Sequence, residues 1–171
     1  MGVKHKAAIC STAAILAIAF GLPEFEHSRL SPQGYELLTH AEGCRRQPYQ
    51  CSAGVWTNGI GHTQNVSPDT RVTDEQIARN LLQDIRIAES HVQRCIRTPL
   101  TPGQYDAFVS FAFNVGGGAF CRSTLVKKAQ AGDIIGSCRE LERWVNAGGK
   151  PVSGLIARRR NEVAHCLGQS L

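Results

Sequence analysis

Ile77, Leu81, Ile85, Ala88, Val92 and Ile96 recur at helical spacing between Thr73 and Pro99. Side chains three and four positions apart share one face of a helix, so the pattern predicts one long helix with an apolar stripe. Thr73-x-x-Gln76 has the spacing of a capping box at its start, and the helix is expected to end before Pro99. A stripe of that length must be buried against other elements.

The flanking segments differ in kind. Ser31-Pro32 is an N-cap followed by proline at the first helical position. Leu37, Leu38 and Ala41 give that helix an apolar face, and Glu42 ends it before Gly43. Residues 48–63 set Gly54, Gly59 and Gly61 among Tyr49, Val55, Trp56 and Ile60, which predicts short hairpin strands. Thr101-Pro102 opens another helix, with Phe108, Phe111, Ala112 and Val115 on one side and a stop at Gly116-Gly117-Gly118. That Phe pattern is the pattern of a core. Residues 123–131, 133–147 and 153–167 read as three further helices. The expected fold is α+β and mainly helical: a helix, a small β-hairpin lobe, a long connecting helix and a helical C-terminal lobe.

Seven cysteines lie at positions 10, 44, 51, 95, 121, 138 and 166. No CxxC pair or Cys/His spacing points to zinc, and no metal or other cofactor is expected. That many cysteines fit an oxidising compartment, and an odd count leaves at least one thiol over in any intramolecular scheme. The net charge of +5 suits an anionic partner. No long basic run with interleaved aromatics is present, so nucleic acid is not expected as a partner.

Lys4, His5 and Lys6 precede an apolar run over residues 7–22, and Pro23, Glu24 and Glu26 follow it. Basic residues before and acidic residues after predict N-in, C-out insertion. As a helix its 16 residues span about 24 Å, short for a bilayer core of about 30 Å. Six are Ala, so the run is a weak anchor. Two readings are open: a signal peptide cleaved at Ala17-Ile18-Ala19, or an uncleaved anchor. Cleavage would discard Cys10 and leave six cysteines.

The chemistry concentrates at Glu42, Cys51 and Thr57. A partly desolvated Glu at a helix end holds a proton for general-acid work, although a surface Glu is the commoner case. Cys51 admits three readings. It is a structural half-cystine, a nucleophile paired with His62, or a base standing where a sugar-cleaving site places a carboxylate. A thiol of ordinary pKa, about 8.5, is only partly ionised at neutral pH, but it can accept a proton. Thr57 offers a hydroxyl that positions water.

Glu42-x8-Cys51-x5-Thr57, with GVWTNGIGHT running through it, resembles the Glu-x8-Asp-x5-Thr signature of phage lysozymes, glycoside hydrolase family 24. TPGQYDAFVSFAFNVGGGAF, STLVKKAQAGD and RELERWVNAGGKPVSGLIARRRNEVAHCL extend the likeness over the helical lobe. The resemblance implies a lysozyme-like fold. It also implies cleavage of the β-1,4 bond between N-acetylmuramic acid and N-acetylglucosamine in peptidoglycan. Glu42 is then the acid, and the Cys51 and Thr57 positions hold and activate water. The departure is Cys for Asp.

The apolar run, Cys10 within it, Cys44 just after the acid and a catalytic Cys together resemble the signal-anchor-release endolysins that carry this substitution. That resemblance implies residues 1–23 as the anchor segment, 24–30 as linker and 31–171 as catalytic domain. It implies an inactive enzyme held in the host inner membrane by residues 7–22, with Cys44 bonded to Cys51. On release to the periplasm, Cys10 attacks Cys44 and frees Cys51. Cys95 with Cys121, and Cys138 with Cys166, are the expected staples, and a monomer is expected. Two alternatives remain: a Cys51/His62 hydrolase of wall peptides, and an anchored wall-binding protein without activity.

Overall fold

The computed structural model describes residues 9–51 and 54–169. Its elements are α1 (Thr12–Phe20), α2 (Pro32–Glu42), β1 (Arg45–Gln50), β2 (Trp56–Gly59), α3 (Asp74–Cys95), α4 (Pro102–Val115), α5 (Gly117–Arg122), α6 (Thr124–Gln130), α7 (Ile134–Glu140), β3 (Asn146–Ala147), β4 (Lys150–Pro151) and α8 (Ser153–Cys166). Short 3₁₀ turns occupy Pro23–His27 and Leu141–Arg143. The chain forms two compact units, one of Met1–Ser28 with Glu42–Asp84 and one of Arg29–Ala41 with Ile85–Leu171.

In the first unit, β1 and β2 form an antiparallel hairpin in which Tyr49 faces Thr57 and Gln50 faces Trp56. Arg45 faces Gly59, so four steps along β1 oppose two along β2, and the strand bulges between them. The chain leaves β2 through a tight corner in which Asn58 and His62 exchange backbone hydrogen bonds. Gly59 stands there at φ +57°, and a Cβ on it would come within 3.1 Å of Ile77. Both conditions select glycine.

Residues 9–28 are folded into this unit. Ser11 caps α1 by accepting from the Ala14 N–H, and Ile15, Leu16 and Ala19 are buried. Ile9 bridges to Arg45, and the Cys10 N–H donates to the Cys44 carbonyl at 3.4 Å. Glu24 is ion-paired with Arg79 of α3. Ala7 and Ala8, the start of the apolar run, lie outside the described residues. No helix among the described residues is long and apolar enough to cross a membrane, because α1 stops at Phe20.

The second unit is helical and carries the larger core. Tyr35, Leu38, Phe108, Phe111, Phe120 and Leu125 are fully buried. Phe111 meets Phe120 and Trp144 edge-on at 6.1 and 5.1 Å between centroids. Glu162 is buried between Arg158 and Arg159, and Ser110 donates to it at 2.7 Å. Two carboxylates fix the start of α2. Glu89 accepts from the Arg29 and Leu30 N–H groups at 2.7 and 2.9 Å. Asp106 accepts from the Ser31 N–H at 3.0 Å and from its hydroxyl, while the Ser31 hydroxyl caps Gly34. Disulfides join Cys95 to Cys121 and Cys138 to Cys166. With sequence separations of 26 and 28, each restricts the unfolded chain by about 3.5 kcal/mol.

Two expectations are corrected. The Thr73 hydroxyl accepts the Gln76 N–H, but the Gln76 side chain reaches forward to Asn80, so the capping box is only half formed. α4 does stop at Gly116, as expected, where the backbone turns at φ +79°, and Gly117 begins the separate short α5. Residues 133–147 are not one helix. α7 ends at Glu140, and Asn146–Ala147 pairs with Lys150–Pro151 in a second small hairpin turned by Gly148-Gly149, both at positive φ. Two consecutive positive-φ glycines form a hairpin turn rather than a helix cap.

Candidate active site

The candidate acid, thiol and hydroxyl all fall in the first unit, within sixteen residues of chain. Glu42 is the last residue of α2 and is half-buried. Gly43 follows at φ +67°, turning the chain out of the helix and into β1. Cys51 follows β1 directly. Its N–H donates to the Val55 carbonyl at 3.0 Å, and its own carbonyl accepts the Gly54 N–H at 2.8 Å. Its sulfur is thereby carried on a hydrogen-bonded turn, and it is half-buried. Thr57, on β2, is 4% exposed and donates its hydroxyl to the Val55 carbonyl at 3.1 Å.

Tyr49 ties these positions together. It faces Thr57 across the ladder and precedes Cys51 by two residues. Its phenol is pushed above the ordinary range, first by burial and then by the negative charge of Glu42. The Arg45 guanidinium opposes this, and Cys51 adds a smaller push upward. One phenol therefore lies within electrostatic reach of both Glu42 and Cys51. Arg45 also lies over the Tyr49 ring, 4.7 Å from its centroid. Neither Tyr49 nor Arg45 was expected from the sequence as part of the site. The signal for Tyr49 was the period of two from Cys51 along a strand. The signal for Arg45 was hidden by the bulge, which is invisible in residue types.

The cysteines divide cleanly. Cys10 is bonded to Cys44 with a Cα–Cα distance of 5.1 Å, and Cys51 belongs to none of the three disulfides. His62, the candidate partner of a nucleophilic Cys51, has its Nδ1 2.7 Å from Asp84. The hydrogen bond that the Nδ1–H donates to Asp84 raises His62 above the usual histidine value, against the effect of burial. Among the described residues, no group of three His, Cys, Asp or Glu side chains is placed to hold a metal ion.

Comparison with known proteins gives this arrangement a family. The phage lysozyme family model matches residues 39–162. The chain is 38% identical to the SAR-endolysin of Haemophilus phage HP1, with 94% of this chain and 95% of that one aligned. It is also 38% identical to the SAR-endolysin of Escherichia phage P1, over 94% of this chain and 91% of that one. Among solved structures it is similar to the active form of P1 phage endolysin Lyz, with a TM-score of 0.84, 37% identity, and coverage of 95% and 97%. Against the secreted inactive form of the same endolysin the TM-score is 0.58, with 38% identity and coverage of 82% and 96%. The matched stretch contains the candidate acid, both hairpins and most of the helical unit, and the chain therefore belongs to the phage lysozyme family.

Proposed function

We propose that the protein is an endolysin that hydrolyses the β-1,4 bond between N-acetylmuramic acid and N-acetylglucosamine of peptidoglycan. In this reading Glu42 gives its proton to the glycosidic oxygen as the bond to the anomeric carbon breaks. Cys51, as thiolate, takes a proton from the water that attacks that carbon, and the Thr57 hydroxyl orients the water. Return of the proton from sulfur to the Glu42 carboxylate through solvent completes the cycle. The observation that carries the reading is that Cys51 stays outside the disulfides while Cys10 holds Cys44, on the hairpin that follows Glu42 and carries Thr57.

The same reading makes the disulfides a switch. Before release, residues 7–22 hold the chain in the host inner membrane, N-terminus inside, and Cys44 is bonded to Cys51. After release to the periplasm, the Cys10 thiolate attacks the Cys44 sulfur. A Cys10–Cys44 bond forms, the Cys44–Cys51 bond breaks, and Cys51 leaves as a thiolate, so the exchange is redox-neutral. Two findings support it: the Cys10–Cys44 bond, and the higher TM-score against the active form of the P1 relative. The released enzyme works as a monomer.

Digestion of purified peptidoglycan by the full chain tests the activity. New reducing ends without new free amines are expected. New amines would assign the site to wall peptides, and neither product would leave only a binding protein. Intact mass tests the anchor: a mature protein lacking residues 1–19 overturns the Cys10 step.

A further inference from the structure

Arg29 is the first residue of the second unit, and it lines a groove of about 520 Å³ with Val92, Ile96, Arg97, Leu100 and Tyr105. That volume lies within the range of small-molecule sites, about 300–1,000 Å³. Both guanidinium-bearing residues are exposed, Val92 and Ile96 are buried, Gln93 and Thr98 add polar groups, and no carboxylate is among the lining residues described. Arg29 is held in place: its N–H is on Glu89 at 2.7 Å, and its guanidinium lies over the Tyr105 ring at 5.1 Å. A cation near the C-terminus of α3 complements the helix dipole, which accounts for Arg97. It does not account for Arg29, which arrives from a different part of the chain. Two arginines lining one groove beside apolar side chains suit a ligand with an anionic head and an apolar body.

The tether selects the ligand. Leu22 ends the apolar run and Arg29 comes seven residues later. At roughly 3.3–3.6 Å per residue, the groove stays within about 25 Å of the leaflet whenever the run is inserted. An acidic wall peptide would offer similar charge, but nothing confines it near Arg29. We propose that this groove docks the anionic phospholipid headgroups of the leaflet from which the N-terminal run emerges. The inference rests on the anchored reading above. It gives a weak apolar anchor the second, electrostatic signal that stable membrane attachment requires.

The test uses the full chain with vesicles of phosphatidylcholine alone or with added phosphatidylglycerol. An arginine at an anionic surface contributes roughly fivefold to binding, so Arg29→Gln with Arg97→Gln should weaken phosphatidylglycerol-dependent binding about 30-fold. Partition into phosphatidylcholine should not change. Lys127→Gln with Arg139→Gln removes the same charge elsewhere on this unit and serves as the control. Unchanged binding of the groove variant, or an equal loss in the control, overturns the proposal. So does loss of binding to a soluble acidic wall peptide with vesicle binding intact. Thermal unfolding and peptidoglycan digestion should match the parent, which keeps misfolding from mimicking the result. Alkaline extraction from host membranes reports the anchor separately. A chain released by alkali, yet still arginine-dependent on phosphatidylglycerol, keeps the groove and sinks the anchored reading.

Discussion

Replacing Cys10 by Ser removes the thiol that bonds Cys44 in this structure and leaves Cys44 to pair with Cys51. The two flank β1, whose ends Arg45 and Gln50 face Gly59 and Trp56. Three steps along β2 plus one flanking step at each end place Cys44 and Cys51 about 17 Å apart while the strand persists, at about 3.3 Å per step. A disulfide requires Cα atoms about 4.4–6.8 Å apart. The Cys44–Cys51 bond thus needs a contraction of about 10 Å, and β1 cannot survive it. Tyr49 then loses its place opposite Thr57, and Arg46 its ion pair with Asp74. The lock would both cap the base and dismantle the strand that assembles the site. The expected outcome for Cys10→Ser is a Cys44–Cys51 peptide on mapping, fast hydrogen exchange at residues 45–50, and lytic activity lower by roughly 10²–10⁴-fold. Thiol reductant should restore both protection and activity. A mapped Cys44–Cys51 bond with residues 45–50 still protected as in the parent would refute the reasoning.

Further outcomes follow from the same geometry. Glu42→Gln should lower peptidoglycan cleavage by roughly 10²–10⁴-fold with unchanged thermal unfolding; retained cleavage would remove Glu42 as the acid. Cys51→Asp should clear cell suspensions without reductant and ignore redox state, whereas a Cys51 nucleophile predicts total loss. Glu162→Gln strips the carboxylate from two buried guanidiniums and should cost about 3–5 kcal/mol, read as a fall in Tm of roughly 6–20 °C. His62 is raised in the folded state, so its contribution is fully present below its unfolded value, about 6.5, and fades as pH rises through the folded value. Urea unfolding of His62→Gln should lack that decline, and an unchanged pH profile would show that Asp84 does not hold the imidazolium.

Much of this protein is legible in one dimension because its signals are local. The spacing of Ile77 to Ile96 dictates α3, and Thr101-Pro102 starts α4 with a complete capping box. Glycines and aromatics over residues 48–63 announce the first hairpin, and Glu42, Cys51 and Thr57 stand at readable intervals. The Asn146–Pro151 hairpin was not legible. Its two-residue strands are too short for a period of two to emerge from a helical background.

What the sequence determined by itself is the inventory: which groups can give or take a proton, and which segments can become helix or strand. Tertiary structure decided the relations among them. A two-residue bulge brings Arg45 over Tyr49, and strand register sets Tyr49 against Thr57. Chain reversal brings Cys10 beside Cys44, 34 positions away, and leaves Cys51 with its thiol. Seven cysteines admit many pairings because sulfur chemistry is the same at every position. Only the distances imposed by packing choose among them.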